Sequence, residues 1–186
     1  MDIKNKLENK NFILKLLNKN DFNLLYKIGR NEKIWEQHPE NDRWKKEKFK
    51  IFFNKGIENK FGFYGIYDKF KNNIIGSTRY YPYSKKKNSI KIGFTFLTPQ
   101  YWGTDTNLQI KTLMLGYAFN YVDNIYFDIG KNNIRSRKAI EKIGATLHLD
   151  AEIGNVLYIL RFEGLKIIKL GVIDEIKKNS SMEASK

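Results

Sequence analysis

The stretch Pro99-Gln100-Tyr101-Trp102-Gly103-Thr104-Asp105-Thr106-Asn107 decides the fold, because it joins an apolar strand to an amphipathic helix through a turn that contains glycine. The first N–H groups of a helix have no partner within the helix, and the helix dipole places partial positive charge at the same end. A turn of this kind suits a phosphate or pyrophosphate group.

A second strand–helix unit follows the first. Residues 124–129 are predicted to form a strand, and Asn133-Ile134-Arg135-Ser136 opens the next helix. Asn and Ser are preferred at helix N-termini, so capping alone would explain both residues. Gly144 supplies the C-terminal cap of this helix, because glycine adopts the left-handed conformation that such caps require.

The order of these features resembles the GNAT acetyltransferase superfamily, which binds acetyl-coenzyme A. The family's loop reads Gln/Arg-x-x-Gly-x-Gly/Ala; here Gln100 and Gly103 fit, and Asp105 stands where the last small residue belongs. Asn133-x-x-Ser136 extends the resemblance to a subgroup similar to the ribosomal-protein N-terminal acetyltransferases. The resemblance covers nearly the whole chain.

The hydrophobic pattern predicts an α/β (α+β) fold, GNAT-like, with a mixed, mostly antiparallel central sheet of about seven strands and helices on both faces. Helices are predicted through Leu24, Leu25 and Ile28, after a cap at Asp42, after the turn at residues 99–107, and after Asn133. Strands are predicted at residues 12–17, 62–67, 74–80, 89–97, 124–129, 145–149 and 156–162.

The length of 186 residues indicates one domain. We expect residues 1–162 to form a single acetyltransferase-like domain. We expect residues 163–186 to form a C-terminal extension that diverges from the family and ends in a disordered segment.

Composition excludes several classes of site. The chain has no cysteine and only two histidines, His38 and His148, so we expect no disulfide, no metal site and no thiolate nucleophile. No apolar run approaches the ~18 residues that a membrane span needs. Residues 1–6 lead into no apolar segment that would indicate a secretory signal. We therefore expect a cytoplasmic protein with no membrane partner.

The net charge of +14 raises the question of a nucleic-acid partner. The lysines are spread along the chain rather than gathered in one segment, so we do not expect one. A positive field also favours an anionic cofactor such as coenzyme A. The partner that the resemblance implies is a small-molecule or peptide amine acceptor, and a homodimer stays open.

By the resemblance, acetyl-CoA is the co-substrate. Backbone N–H groups of the turn would face its pyrophosphate, and an N–H near Phe96 or Leu97 would polarise the thioester carbonyl. Asn133 would bond the pantetheine arm and Ser136 would lie near the sulfur. The residues expected to bind the cofactor are Phe96, Leu97, Gln100, Trp102, Gly103, Thr104, Asp105, Thr106, Asn107, Asn133, Ser136 and Arg137.

The residue that deprotonates the amine is harder to identify. Relatives commonly place a Glu on the strand before the Ile-Gly pair, where this chain has Lys91. The alternatives are Glu36, His38 and Asp42, of which His38 titrates near neutrality and precedes a rigid proline. We take His38, Glu36 and Ser136 as the catalytic residues.

The sequence therefore predicts an N-acetyltransferase that moves an acetyl group from acetyl-CoA to a primary amine by direct transfer. The lysine at position 91 and the aspartate at position 105 keep a second hypothesis open. In it, the chain is a non-catalytic acyl-CoA-binding or regulatory relative.

Overall fold

The computed structural model describes residues 6–148 and 154–162. The predicted C-terminal extension and the end of the predicted strand at Leu149 lie outside these residues. The helices are α1 Phe22–Gly29, α2 Lys46–Ile57, α3 Thr106–Ala118 and α4 Ile134–Lys142. The strands are β1 Lys6–Glu8, β2 Phe12–Leu16, β3 Phe63–Asp68, β4 Asn73–Ser84, β5 Ser89–Leu97, β6 Asn124–Gly130, β7 Thr146–His148 and β8 Asn155–Arg161.

The described strands form one sheet of eight strands in the order β1-β2-β3-β4-β5-β6-β8-β7. Every neighbouring pair is antiparallel except β5 and β6, which are parallel. This confirms the predicted mixed, mostly antiparallel sheet. The strand absent from the prediction is β1, a three-residue polar edge strand whose pairing with β2 has no signal in the local sequence.

Helices cover both faces of the sheet. On one face α3 and α4 pack against buried residues such as Leu14, Ile92 and Phe127. On the other face α1 and α2 contribute a cluster of aromatic side chains, among them Phe49 and Phe52. None of the helices in residues 6–148 and 154–162 is long and apolar enough to cross a membrane.

The start of α2 differs from the prediction. The helix begins at Lys46, its N-cap is Lys45, and no side chain caps it. Asp42 instead belongs to the preceding turn, where its carbonyl accepts the Lys45 N–H at 3.0 Å. The predicted cap at Asp42 is therefore wrong, because a turn separates this residue from the helix.

Strand β5 pairs unequally with its two neighbours. It pairs with β4 as far as Leu97, but with β6 only from Ser89 to Lys91. Beyond that point residues 92–97 and 127–130 diverge, and each strand keeps its pairing on the other side. The sheet is therefore split between β5 and β6.

A β-bulge lies where β5 leaves β6. Phe94 and Thr95 both stand opposite Thr78, and Phe94 has a φ of +50°. Bulges bend the strand that carries them, and a bulky residue at positive φ is strained by about 1–3 kcal/mol. The Phe94 ring contacts the Arg79 guanidinium at 4.0 Å and the Tyr81 ring at 4.7 Å. These contacts help to hold the bend.

One residue in the core of α3 is charged. Lys111 is 3% exposed, and its Nζ donates to Thr95 Oγ1 at 2.8 Å. No carboxylate of the described residues lies within 4.0 Å of it to form an ion pair. Burial therefore lowers the pKa of Lys111 from 10.5 to about 7.

We expect Lys111→Met to change how stability depends on pH. The folded pKa of about 7 lies below the ordinary 10.5, so between these values the unfolded chain binds more protons than the folded chain. The native protein should lose stability as the pH falls through this window, and the variant should lack that loss. Urea unfolding of both proteins at pH 7 and pH 10 measures the difference.

Lys50→Met, at an exposed position of α2, is the matched control for loss of one lysine. Its stability should follow that of the native chain at both pH values. If Lys111→Met and Lys50→Met show the same pH dependence, the Lys111 amine is not desolvated in the folded protein.

Candidate functional site

The split between β5 and β6 opens a cavity of about 580 Å³. Its walls are the facing edges of the two strands, the turn before α3 with the start of that helix, one side of α4, and residues 34–43 between α1 and α2. Parts of the chain that are distant in sequence therefore meet at the point where the sheet comes apart.

The free edge of β5 supplies backbone groups to this cavity. Thr98 N–H donates to the Ile75 carbonyl on β4 at 2.8 Å. Because alternate residues of an antiparallel strand face opposite neighbours, Phe96 also directs its backbone groups toward β4, and Leu97 directs its own toward the split. Consistently, the Leu97 carbonyl accepts the Trp102 indole N–H at 2.9 Å. Of the two predicted residues, Leu97 is thus the one whose N–H faces the cavity.

The turn before α3 leaves room for a ligand. Gly103 has a φ of +74°, and no atom lies within 4 Å of where its Cβ would be. Within the described chain no hydrogen-bond partner is present for the N–H groups of Asn107 and Leu108, and α3 has no side-chain cap. An open backbone and free N–H groups at a helix start form a site for an anion.

Asp105 lies at the N-cap of α3 but does not cap it. Its side chain is exposed and accepts a hydrogen bond from Gln109 Nε2, one helical turn along, at 2.8 Å. The carboxylate therefore runs along the outside of the helix, next to the anion site rather than within it.

The start of α4 lies across the cavity from this turn. Asn133 Oδ1 accepts the Ser136 N–H at 3.1 Å, so the side chain of Asn133 caps the helix. The Arg135 guanidinium stacks on the Trp102 ring at 3.8 Å and donates to the Ile34 carbonyl at 3.2 Å. Arg135 therefore joins the α3 turn, α4 and the segment at residues 34–43.

The segment at residues 34–43 forms the wall on the α1–α2 face. Trp35 packs on the aromatic cluster of α2 and on Phe96, with ring centroids 5.2 Å apart. Arg43 is 3% exposed, stacks over the rings of Trp35 and Phe52, and pairs with Glu40 at 2.7 Å. This wall is therefore rigid and aromatic, with a buried cation.

His38 lines this wall, and a donor group faces each of its ring nitrogens, although a neutral imidazole can accept at only one of them. Nδ1 accepts the Glu40 N–H at 2.9 Å, and Nε2 lies 3.2 Å from Arg43 Nη1. Burial, followed by the charge of Arg43, lowers the pKa of His38 to about 4. The imidazole is therefore neutral near pH 7, but Nδ1 must release the Glu40 N–H before it accepts a proton.

Lys91 and Asp128 lie side by side on β5 and β6. Lys91 Nζ donates to Asp128 Oδ2 at 2.6 Å, and each side chain is 26% exposed. Among the described residues that line the cavity, Asp128 is the one carboxylate. The position expected to carry Glu thus holds a lysine, and a carboxylate lies on the neighbouring strand.

The cavity brings together most of the predicted site residues. Those that line it are His38, Phe96, Leu97, Trp102, Gly103, Thr104, Asn107, Asn133 and Ser136. Glu36, Gln100 and Asp105 are exposed and do not line it, and the buried Thr106 accepts a hydrogen bond from Thr104. Arg137 turns away, since it donates to Tyr158 Oη and to the Lys131 carbonyl.

Six charged residues that line the cavity were not predicted as site residues: Arg43, Lys111, Asp128, Arg135, Lys138 and Lys142. A weak signal existed for two of them. Asp128 is the charged residue on the face of its strand opposite Phe127 and Ile129, and Lys111 directly follows the core position Ile110. Arg43 and Arg135 lie in segments whose packing no local pattern indicates.

Structural comparison finds the same fold in proteins of low sequence identity. A GCN5-related N-acetyltransferase from Brucella melitensis superposes with a TM-score of 0.77 at 15% identity, over 95% of this chain and 86% of that one. Spermidine N-acetyltransferase from Vibrio cholerae, in complex with CoA and spermine, superposes with a TM-score of 0.62 at 16% identity, over 84% of this chain and 98% of that one. Ribosomal-protein-S5-alanine acetyltransferase from Vibrio fischeri superposes with a TM-score of 0.64 at 15% identity, over 87% of this chain and 98% of that one.

Sequence comparison gives two results. A comparison with curated proteins finds no match. The family model described as the acetyltransferase (GNAT) domain matches residues 11–146, which is most of the chain and includes the split, the α3 turn and α4. The chain therefore belongs to the GNAT acetyltransferase family.

Proposed function

We propose that this protein transfers an acyl group, acetyl in the simplest case, from coenzyme A to a primary amine by direct transfer. The observation that carries the proposal is the split between β5 and β6, which exposes the edge of β5 next to the open turn before α3. A long, thin anionic thioester fits this combination of a free strand edge and a helix N-terminus.

The residues present fit such a co-substrate. The N–H groups of Asn107 and Leu108 would hold the pyrophosphate, and Gly103 leaves space for its approach. The Leu97 N–H would donate to the thioester oxygen, where negative charge develops during attack by the amine. Ser136 would lie near the sulfur, as the family resemblance implies.

The amine must lose a proton before or during attack. His38 would accept this proton: it lines the cavity, is neutral at the pH of the reaction, and has Nδ1 available once that atom releases the Glu40 N–H. Asp128 is the alternative, since its carboxylate also lines the cavity. Glu36 is exposed, does not line the cavity, and would act only through the field it exerts on Arg135.

The acceptor is a small molecule or a peptide N-terminus. Five cationic side chains line the cavity against one carboxylate, which disfavours a polyamine of the kind bound in the Vibrio cholerae structure. A peptide N-terminus, as in the ribosomal-protein acetyltransferases, carries a single charge and meets less repulsion. Turnover with a panel of amines, peptides and amino sugars identifies the class. Binding of acetyl-CoA without turnover on any amine would favour the non-catalytic alternative.

We expect acetyl-CoA to raise the melting temperature, because a ligand at a hundredfold excess over its Kd stabilises the native state by about 2.7 kcal/mol. Gly103→Val should abolish this shift, since a β-branched side chain closes the approach to the turn and resists a positive φ. Gly154→Val is the matched control: Gly154 has a φ of +82°, equally open surroundings and no place in the cavity. An equal shift in the Gly103 variant and the native protein would contradict the assignment.

We expect Asp105→Asn to tighten coenzyme A binding, because the change removes a negative charge beside the pyrophosphate site and keeps an acceptor for Gln109. The gain should shrink between 50 mM and 500 mM salt, since the carboxylate is exposed and its field is screened. Titration calorimetry at both salt concentrations measures the gain. Unchanged affinity at low salt would show that the charge is too distant to act.

We expect His38→Gln to lower kcat by about 10²–10⁴-fold, the usual contribution of a general base, with little change in coenzyme A affinity. Glutamine retains hydrogen-bonding atoms for Arg43 but does not take up a proton near neutral pH. Asp128→Asn is the companion variant. If His38→Gln keeps its activity from pH 6 to pH 9 and Asp128→Asn loses it, the role belongs to Asp128.

A further inference from the structure

Lys111 is a buried charge to which the proposed reaction gives no part. Its Nζ lies 2.8 Å from Thr95 Oγ1 on β5 and 5.9 Å from the centroid of the Phe127 ring on β6. These two strands are the walls of the split, and all three residues line the cavity. The ammonium group therefore lies inside the split, between its two strands.

The ammonium group has more donors than partners. The protonated amine has three N–H donors, of which one bonds Thr95 Oγ1, and the described residues offer no other hydrogen-bond acceptor or ion-pair partner. Thr95 Oγ1 is itself fixed, because it also bonds Thr78 Oγ1 at 2.7 Å. Two N–H donors of a positive group are thus left for a ligand.

Packing alone does not account for a lysine here. The neighbouring positions of α3 are occupied by Ile110, Met114 and Leu115, which are all buried. An apolar residue at position 111 would avoid the loss of hydration that a buried cation suffers. Buried charges are normally paired, so an unpaired one that faces a cavity indicates an anionic ligand.

We propose that the cavity accepts dicarboxylic acyl thioesters of coenzyme A as well as acetyl-CoA, and that Lys111 Nζ pairs with the free carboxylate of the acyl group. This rests on the proposed function, in which the thioester oxygen lies at the Leu97 N–H. Leu97 and Thr95 are two residues apart on β5, about 6.5 Å along the strand. An extended four-carbon diacid spans a comparable distance.

The chemistry of transfer is that of the acetyl reaction. The amine nitrogen bonds the thioester carbon, the C–S bond breaks, the amine gives up one proton, and coenzyme A leaves as the thiol after taking one. The distal carboxylate is unchanged, so the product is the half-amide of the diacid. Lys111 acts only on the donor and sets which acyl group is selected.

The test compares two donors that differ in the carboxylate. Succinyl-CoA and butyryl-CoA both carry four-carbon acyl groups, and only the first has a terminal carboxylate. We expect the native protein to bind succinyl-CoA at least tenfold more tightly than butyryl-CoA in titration calorimetry. We expect Lys111→Met to reverse this preference and Lys111→Arg to retain it, while free coenzyme A binds all three proteins alike.

Each other outcome counts against the proposal. Equal binding of the two donors by the native protein, with coenzyme A bound normally, overturns the role of Lys111 and leaves the proposed function in place. If coenzyme A itself does not bind, both the role of Lys111 and the proposed function are contradicted. An acyl adduct on Lys111, found by mass spectrometry after incubation with acetyl-CoA, would show that this amine is acylated rather than paired, and also overturns the proposal.

Discussion

Strand β5 pairs with β4 along its whole length but with β6 only over its first residues. Pairing with β4 continues to Leu97, and pairing with β6 stops at Lys91. The bulge at Phe94 and Thr95 bends β5 at this point without breaking its bonds to β4. The cavity, the Leu97 N–H that faces it and the position of Lys111 all depend on the separation of β5 from β6 after Lys91.

The contacts that support the bend come from outside the cavity. Phe94 is held by Arg79 and Tyr81 from β4, on the face covered by α1 and α2. The side chains of Thr95 and Lys111 meet on the opposite face, where α3 packs. Contacts on the α1–α2 face therefore stabilise the bend, and the buried Lys111 amine lies against the bent strand on the α3 face.

Much of the fold was predictable from local patterns, since β5 runs from Ser89 to Leu97 as the apolar residues indicate and Gly144 ends α4 with a φ of +90°. The split between β5 and β6 was not predictable from local patterns. It depends on the bulge in the pairing of β5 with β4, and residues far apart in sequence determine that pairing together. The Lys91–Asp128 pair was not predicted for the same reason, because its two residues are far apart in sequence and meet only when β5 and β6 pair. The turn and the Asn133 cap lie within a few residues of one another, and sequence reasoning found them.

Arg135 touches both sides of the cavity: its guanidinium lies on Trp102, beside the turn before α3, and donates to Ile34 at the start of the α1–α2 wall. Pro39, on the same wall, lies so close to Gly130 at the end of β6 that a Cβ on Gly130 would come within 2.6 Å of it. The wall is thus pinned at two points to the elements that would hold the donor. A shift of this wall would therefore disturb the cavity both at the turn before α3 and at the end of β6.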